Sequence, residues 1–306
     1  MKEYKISRII WLLCLALAMT WCSEDLASSF ADDEIKPGDP IQFAPYLSGQ
    51  ATTRVELEGY SAASGDYDFT YYIYKKVEEV DTEVGSGASL YWPDNQIAYA
   101  FKAIAGSSTL ASDQDTYEEF LLQDRLIGYG GVPTDNIDVL NYRTCVNWKT
   151  ANSGETDSKK IRVYMKHQRS RITVILKAGD GVRPEELALA AATNNIAATI
   201  YSYGGSPLNI SPWASEVTVD AVKYTQYTAI VEPHNYSSQD IVTINLSGQS
   251  TTFNGSYDLS TAGKHLVLTL TLTRAETFKA LVTARVVDWE NVDRVNVTLD
   301  DFGQTN

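Results

Sequence analysis

Three histidines and three cysteines carry most of the metal-ligating and nucleophilic capacity of this 306-residue chain. His167, His234 and His265 lie in separate segments, and no HExxH or CxxC spacing gathers ligands on one turn, so no metal centre is expected. Cys145, in TCVNWK, has no local nucleophile signature, and neither a G-x-S-x-G elbow nor a GxxxxGK[ST] loop occurs. Its thiol reads as a buried structural group. Asp113-Gln114-Asp115 opens like a calcium loop, but Glu118 stands where a glycine is required and Asp124 where the closing glutamate belongs. With 39 acidic residues a carboxylate pair carries no information, because the separation that matters is a property of the fold. No catalytic residue and no cofactor is assigned, and the chain reads as a non-enzyme.

The aromatic residues offer binding rather than bond-breaking. Tyr71, Tyr72 and Tyr74 share one short run, and Tyr91-Trp92 follow. Exposed, such rings stack on sugars; in a sheet they bury the ring and keep a polar tip in water. Tyr91 and Trp92 are the candidate platform of a glycan-binding alternative. A net charge of −14 excludes a nucleic-acid partner, since such binding depends on Lys and Arg neutralising phosphates.

The N-terminus is an address. Lys2, Lys5 and Arg8 precede the apolar run Ile9–Met19, which is shorter than the roughly 20 residues a membrane span needs. The run closes on Cys22 followed by Ser23-Glu24-Asp25, and it resembles a bacterial lipoprotein signal (residues 1–21) in which the Cys22 thiol is acylated. Trp21 departs from the small residue usual before such a cysteine. Removing Lys2, Glu3, Lys5 and Arg8 takes away two net positive charges, so −14 becomes −16. Cys14 is then lost, Cys22 is capped, and Cys145 is left with no disulfide partner.

Residues 22–40 are acidic and turn-rich and read as a flexible tether. Beyond them, alternating runs recur at β-protein spacing: 68–75, 97–104, 161–165, 171–177, 217–222, 228–232, 241–246, 265–273, 278–287 and 294–299. In HLVLTLTLT, Leu266, Leu268, Leu270 and Leu272 share one face, which predicts a strand buried on one side. Only 183–190 reads as helical. Strands without intervening helices predict an all-β fold of antiparallel sandwiches. The polar stretch 150–160 places the boundary, giving sandwiches over 41–155 and 156–306.

Several segments in this order resemble the fimbrillin family of Bacteroides-type bacteria, the lipoprotein pilins of type V pili. They are the start at Cys22, Thr52-Thr53-Arg54, Leu90-Tyr91-Trp92-Pro93 with Ile97–Phe101, Met165–Val174, Gly263–Thr273 and Asp288-Trp289. The resemblance implies two tandem transthyretin-like β-sandwiches and a structural or adhesive role in a surface pilus (fimbrium) at the outer membrane. It also implies assembly by strand exchange. A maturation protease would cut after Arg54 and release a first strand carrying Ile41, Phe43 and Tyr46. An extended segment of another pilus subunit would fill the groove, gaining main-chain hydrogen bonds. Here that donor would carry Val295, Val297 and Leu299. The implied partners are other subunits, the protease, the membrane through the lipid and surface ligands. Stalk, tip and anchor roles stay open.

Overall fold

The computed structural model describes residues 35–48, 54–56, 67–132, 134–151, 159–189, 196–219, 222–274 and 278–289. The first half contains β1 (Pro40–Ile41), β2 (Phe43–Ser48), β3 (Arg54–Glu56), β4 (Thr70–Val77), β5 (Val80–Gly87), β6 (Leu90–Tyr91), β7 (Tyr99–Ala105), β8 (Leu126–Gly131) and β9 (Ile161–His167). Between them lie the helices α1 (Tyr117–Gln123) and α2 (Cys145–Ala151). Seven strands form one sheet in the order β3-β2-β9-β8-β7-β4-β5, and β1 pairs with β6. β2 and β4 stand three strands apart, yet Phe43 stacks on Tyr71 at 3.9 Å with the rings 6° from parallel. The sheet therefore curls over a core that includes Trp92, Phe101, Leu126, Cys145, Trp148, Ile161 and Met165. Alternation positions these side chains: Ile161, Val163 and Met165 of β9 point inward, and so do Tyr99, Phe101 and Ala103 of β7. β8 can approach β9 closely because Gly128 has no side chain; a Cβ there would sit 2.6 Å from the Tyr164 carbonyl oxygen.

The second half contains β10 (Ser170–Ala178), α3 (Pro184–Leu187), β11 (Ile196–Ser202), β12 (Leu208–Ile210), β13 (Trp213–Val219), β14 (Val222–Val231), β15 (His234–Leu246), β16 (Gln249–Leu259), β17 (Lys264–Thr273) and β18 (Lys279–Asp288). A five-stranded sheet, β13-β14-β10-β17-β18, faces a four-stranded one, β12-β11-β15-β16. Their inner faces share one apolar core. The all-β, two-sandwich reading describes this architecture.

Several details differ from the sequence reading. The strands are not all antiparallel: β2 runs parallel to β9, and β10 parallel to β17. β17 is buried on its second face as well, with Val267 and Thr269 each 5% exposed. The run 217–222 is not one strand but the end of β13 and the start of β14. β9, which follows the expected boundary near 155, is hydrogen-bonded between β2 and β8 in the first sheet. The expected tether is folded at its end, where Ile35 is 8% exposed in the core and Pro40-Ile41 pair with Leu90-Tyr91. Two helices were not expected. α1 carries a visible capping signal, since the Thr116 hydroxyl accepts the Glu119 N–H and donates to the Glu119 carboxylate. α2 is capped as well, the Thr144 hydroxyl accepting the Asn147 N–H at 3.2 Å, and its Cys145 and Trp148 are buried, with Trp148 stacked on Phe101.

Candidate assembly interface

The expected displaced strand is two elements. Ile41 lies in β1, 6% exposed and opposite Leu90, whereas Phe43 and Tyr46 lie in β2. β2 is an internal strand of the sheet, with five parallel register pairs joining Phe43–Leu47 to Ile161–Met165 and three antiparallel pairs joining it to β3. Phe43 points into the core, while Tyr46 is on the outer face 5.9 Å from Tyr164. Arg54 is the first residue of β3, opposite Ser48. Among the described residues β3 is the edge of the sheet and pairs with β2 alone. Cys22, Val295, Val297 and Leu299 lie outside the described residues.

The glycan platform does not form at the expected pair. Tyr91 is 60% exposed, but Trp92 is 2% exposed, edge-on to Phe101 at 5.5 Å. Its backbone pairs with Gly38 and Asp39, which turns the ring under β1. Trp92 is a core residue.

Sequence reasoning missed the junction between the sandwiches, which is polar and buried. The chain crosses from β9 to β10 through Gln168-Arg169. The Arg169 side chain donates to the Gln123 carbonyl (2.7 Å) on one side and to Glu232 (3.0 Å) on the other. β13 stops pairing with β14 at Trp213–Thr228. Two residues on, the fully buried Gln114 amide takes the next ladder position, accepting from Ile230 N–H (2.8 Å) and donating to Ile230 C=O (3.0 Å). A residue that looked like filler in an acidic loop thus extends the second sandwich's sheet from the first. An apolar cluster of Phe120, Ile230 and Trp289, with Tyr117 and Trp213 against it, closes the contact.

Trp289 follows β18 directly and stacks on His167 at 3.7 Å. His167 Nδ1 lies 2.7 Å from Asp124, whose other oxygen accepts the Tyr67 hydroxyl at 2.5 Å. The Arg171 guanidinium lies 5.6 Å from the Trp289 ring centre, and its Nε donates to His265 Nε2 at 3.3 Å. His265 Nε2 is thus an acceptor, which places the proton of the neutral ring on Nδ1. Burial, then the charges of Arg171 and Arg285, hold the His265 pKa well below the usual histidine range. In the unfolded chain His265 protonates near pH 6.5 while the folded ring stays neutral. Stability is therefore fully present above about pH 6.5 and falls below it, by up to about 1.4 kcal/mol per pH unit. Urea unfolding at pH 7.5 and 5.5 checks this; a His265→Gln variant is expected to lose most of the difference, and equal pH slopes would rule the account out.

Two of the acids singled out in the sequence, Asp113 and Asp115, come together with Glu119. Ligand atoms of Asp113, Asp115 and Glu119 lie within 4.8 Å of one another on the surface. A hydrogen bond with Glu119, then the charge of Asp113, raises the Asp115 pKa. His234 lies apart from the other histidines and pairs with Gln239 at 2.9 Å. Among the described residues no helix is long and apolar enough to cross a membrane.

No family model matches the chain, and no curated protein does. Solved structures do. A Bacteroides ovatus protein described as a cell adhesion protein superposes with a TM-score of 0.50 at 11% identity, over 83% of this chain and 98% of that one. The chain shares its fold with this protein. A Bacteroides uniformis cell adhesion protein gives 0.45 at 15% identity (82% and 98% covered). A Bacteroides thetaiotaomicron adhesin gives 0.42 at 11% identity (84% and 99% covered). The double sandwich implied by the fimbrillin resemblance is the fold observed.

Proposed function

We propose that the chain is a structural or adhesive subunit of a cell-surface pilus, exported as a lipoprotein on Cys22 and assembled by strand exchange rather than acting as an enzyme. One observation carries the assembly step: β2 fills the sheet between β9 and β3, and the chain then reaches Arg54 on an edge strand. A cut after Arg54 separates β1 and β2 from the rest of the sheet. Their removal leaves the β9 backbone unpaired on one side and the core open where Ile41 and Phe43 sat. A strand from another subunit, carrying Val295, Val297 and Leu299, would restore the ladder and the apolar contacts. The sequence resemblance and the fold shared with an adhesion protein support the same role.

Electron microscopy of cells with gold-labelled antibody to the protein tests this. Label on surface filaments, at the shaft, tip or base, is the expected result, and a Cys22→Ser variant is expected to lose acylation and surface label. Label confined to the cell interior would overturn the reading.

A further inference from the structure

The outer face of the first sheet carries a row of side chains set directly opposite one another across the strands. Register places Tyr72 of β4 beside Lys102 of β7, and Lys102 beside Tyr129 of β8. The row continues through Tyr164 of β9, which is 1% exposed, to Tyr46 of β2. The Tyr72–Lys102–Tyr129 end is partly exposed, and Tyr74 stands two residues along β4 on the same face. With neighbouring strands about 4.8 Å apart, the two tyrosines flanking Lys102 are roughly 10 Å from each other.

The polar atoms of this patch are uncommitted. Other lysines on the face are neutralised, Lys166 by Asp138 and Lys76 by Asp81. Among the described residues Lys102 makes no ion pair or hydrogen bond, and the hydroxyls of Tyr72, Tyr74 and Tyr129 make no hydrogen bond. Their rings are in contact with no other described aromatic ring. An unpaired ammonium is notable on a chain of net charge −14, where acids outnumber bases by 39 to 25. On the adjacent edge strand β5, Glu83 stands opposite Tyr74 and Asp81 opposite Lys76, whereas the residues opposite Lys102 are the two tyrosines.

We propose that this patch binds an acidic glycan, a polysaccharide bearing sugar carboxylates. The proposal rests on the adhesive part of the functional reading and gives it a ligand class. A sugar ring presents C–H groups to a tyrosine face and hydroxyls to its phenolic tip. Tyr72 and Tyr129 would each take a ring of the chain. Lys102, midway between them, takes the carboxylate through a charge-assisted hydrogen bond. A protein partner adding a strand needs a free backbone edge, whereas this site is the centre of a sheet whose backbone is already paired.

The test uses the full mature chain and polygalacturonate, with neutral dextran and polyglutamate as comparison polymers, read by affinity electrophoresis and calorimetry. Polygalacturonate is expected to bind and dextran not. Lys102→Ala and Tyr129→Ala are each expected to weaken binding at least about tenfold, about 1.4 kcal/mol. Lys102→Arg is expected to retain it. Circular dichroism and melting establish that each variant is folded, and Tyr72→Phe, which keeps the ring, gives a milder loss if an alanine variant does not fold. Absence of polygalacturonate binding, or binding unchanged by Lys102→Ala and Tyr129→Ala together, overturns the proposal. Equal binding of polyglutamate also overturns it, in favour of an acidic protein partner. Binding without surface filaments would sink the pilus reading and leave this site standing; filaments formed by a protein that ignores polygalacturonate would do the reverse.

Discussion

Replacing Trp289 with alanine is expected to cost about 3–5 kcal/mol of folding stability, the range for deleting a large buried aromatic ring. The ring is 6% exposed, lies flat on His167 of the first sandwich and packs with Ile230 of the second. Its loss opens a cavity where the end of β18 meets the end of β9. Among the described residues the indole N–H has no hydrogen-bond partner, so Trp289→Phe loses no such bond there and keeps the stack. That variant is expected to lose about 1–1.5 kcal/mol, as for a change that mainly trims volume. Urea denaturation followed by two probes, one in each sandwich, is the measurement. The parent protein is expected to unfold in one transition and the alanine variant in two. A shift below about 1 kcal/mol with a single transition would show that Trp289 does not couple the sandwiches.

Cleavage after Arg54 is the second large effect. The released segment removes Ile35, Ile41 and Phe43 from the core, together with Ala44 and Pro45. At about 1.5–3 kcal/mol for each large side chain, the loss is roughly 5–9 kcal/mol before any ladder bond is counted. Domains of this kind are stable by about 5–15 kcal/mol in all. The cut first sandwich is therefore expected to stay closed only while the fragment remains in place, and to multimerise or aggregate once it leaves. Limited trypsin treatment of the full chain, mass analysis of the fragments and size-exclusion chromatography check this. Synthetic Ile41–Leu47 peptide is expected to suppress multimers by refilling the groove, and a peptide spanning Arg294–Asp300 to do the same if it is a donor. A cut protein that sheds the fragment and remains a monomer with unchanged melting would remove the strand-exchange reading.

The strands that bury one face were legible because their pattern is local: Arg171–Lys177, His265–Thr273 and Phe278–Val287 each matched an observed strand within a few residues. β5 and β16 were not, since VDTEVGSG and QSTTFNGSYDL are polar, with glycines that weaken any strand signal. The expected boundary precedes β9, which pairs in the first sheet. A polar run reads as a linker wherever it falls, and 150–160 falls between α2 and β9, two elements of the first half. No local pattern reports that Gln114 completes a ladder in the other sandwich, or that Trp92 lies beneath β1. Those facts depend on pairings between distant segments. The Lys102 row is of the same kind, for each member is ordinary within its own strand.

The parallel pairing of β2 with β9 has a mechanical meaning. β2 begins on the side of the chain that leads back toward Cys22, and β9 ends where the chain enters the second sandwich. In parallel strands the start of one and the end of the other lie at opposite ends of the pair. In a chain anchored through Cys22 as proposed, tension toward the second sandwich would load this pair in shear, and its five register pairs would have to fail together. An antiparallel neighbour pulled from the same two points would peel open one pair at a time. Under the proposed assembly the strand to be removed would be the one that bears the load, and a donor laid along β9 in the same direction would carry tension from subunit to subunit like a lap joint.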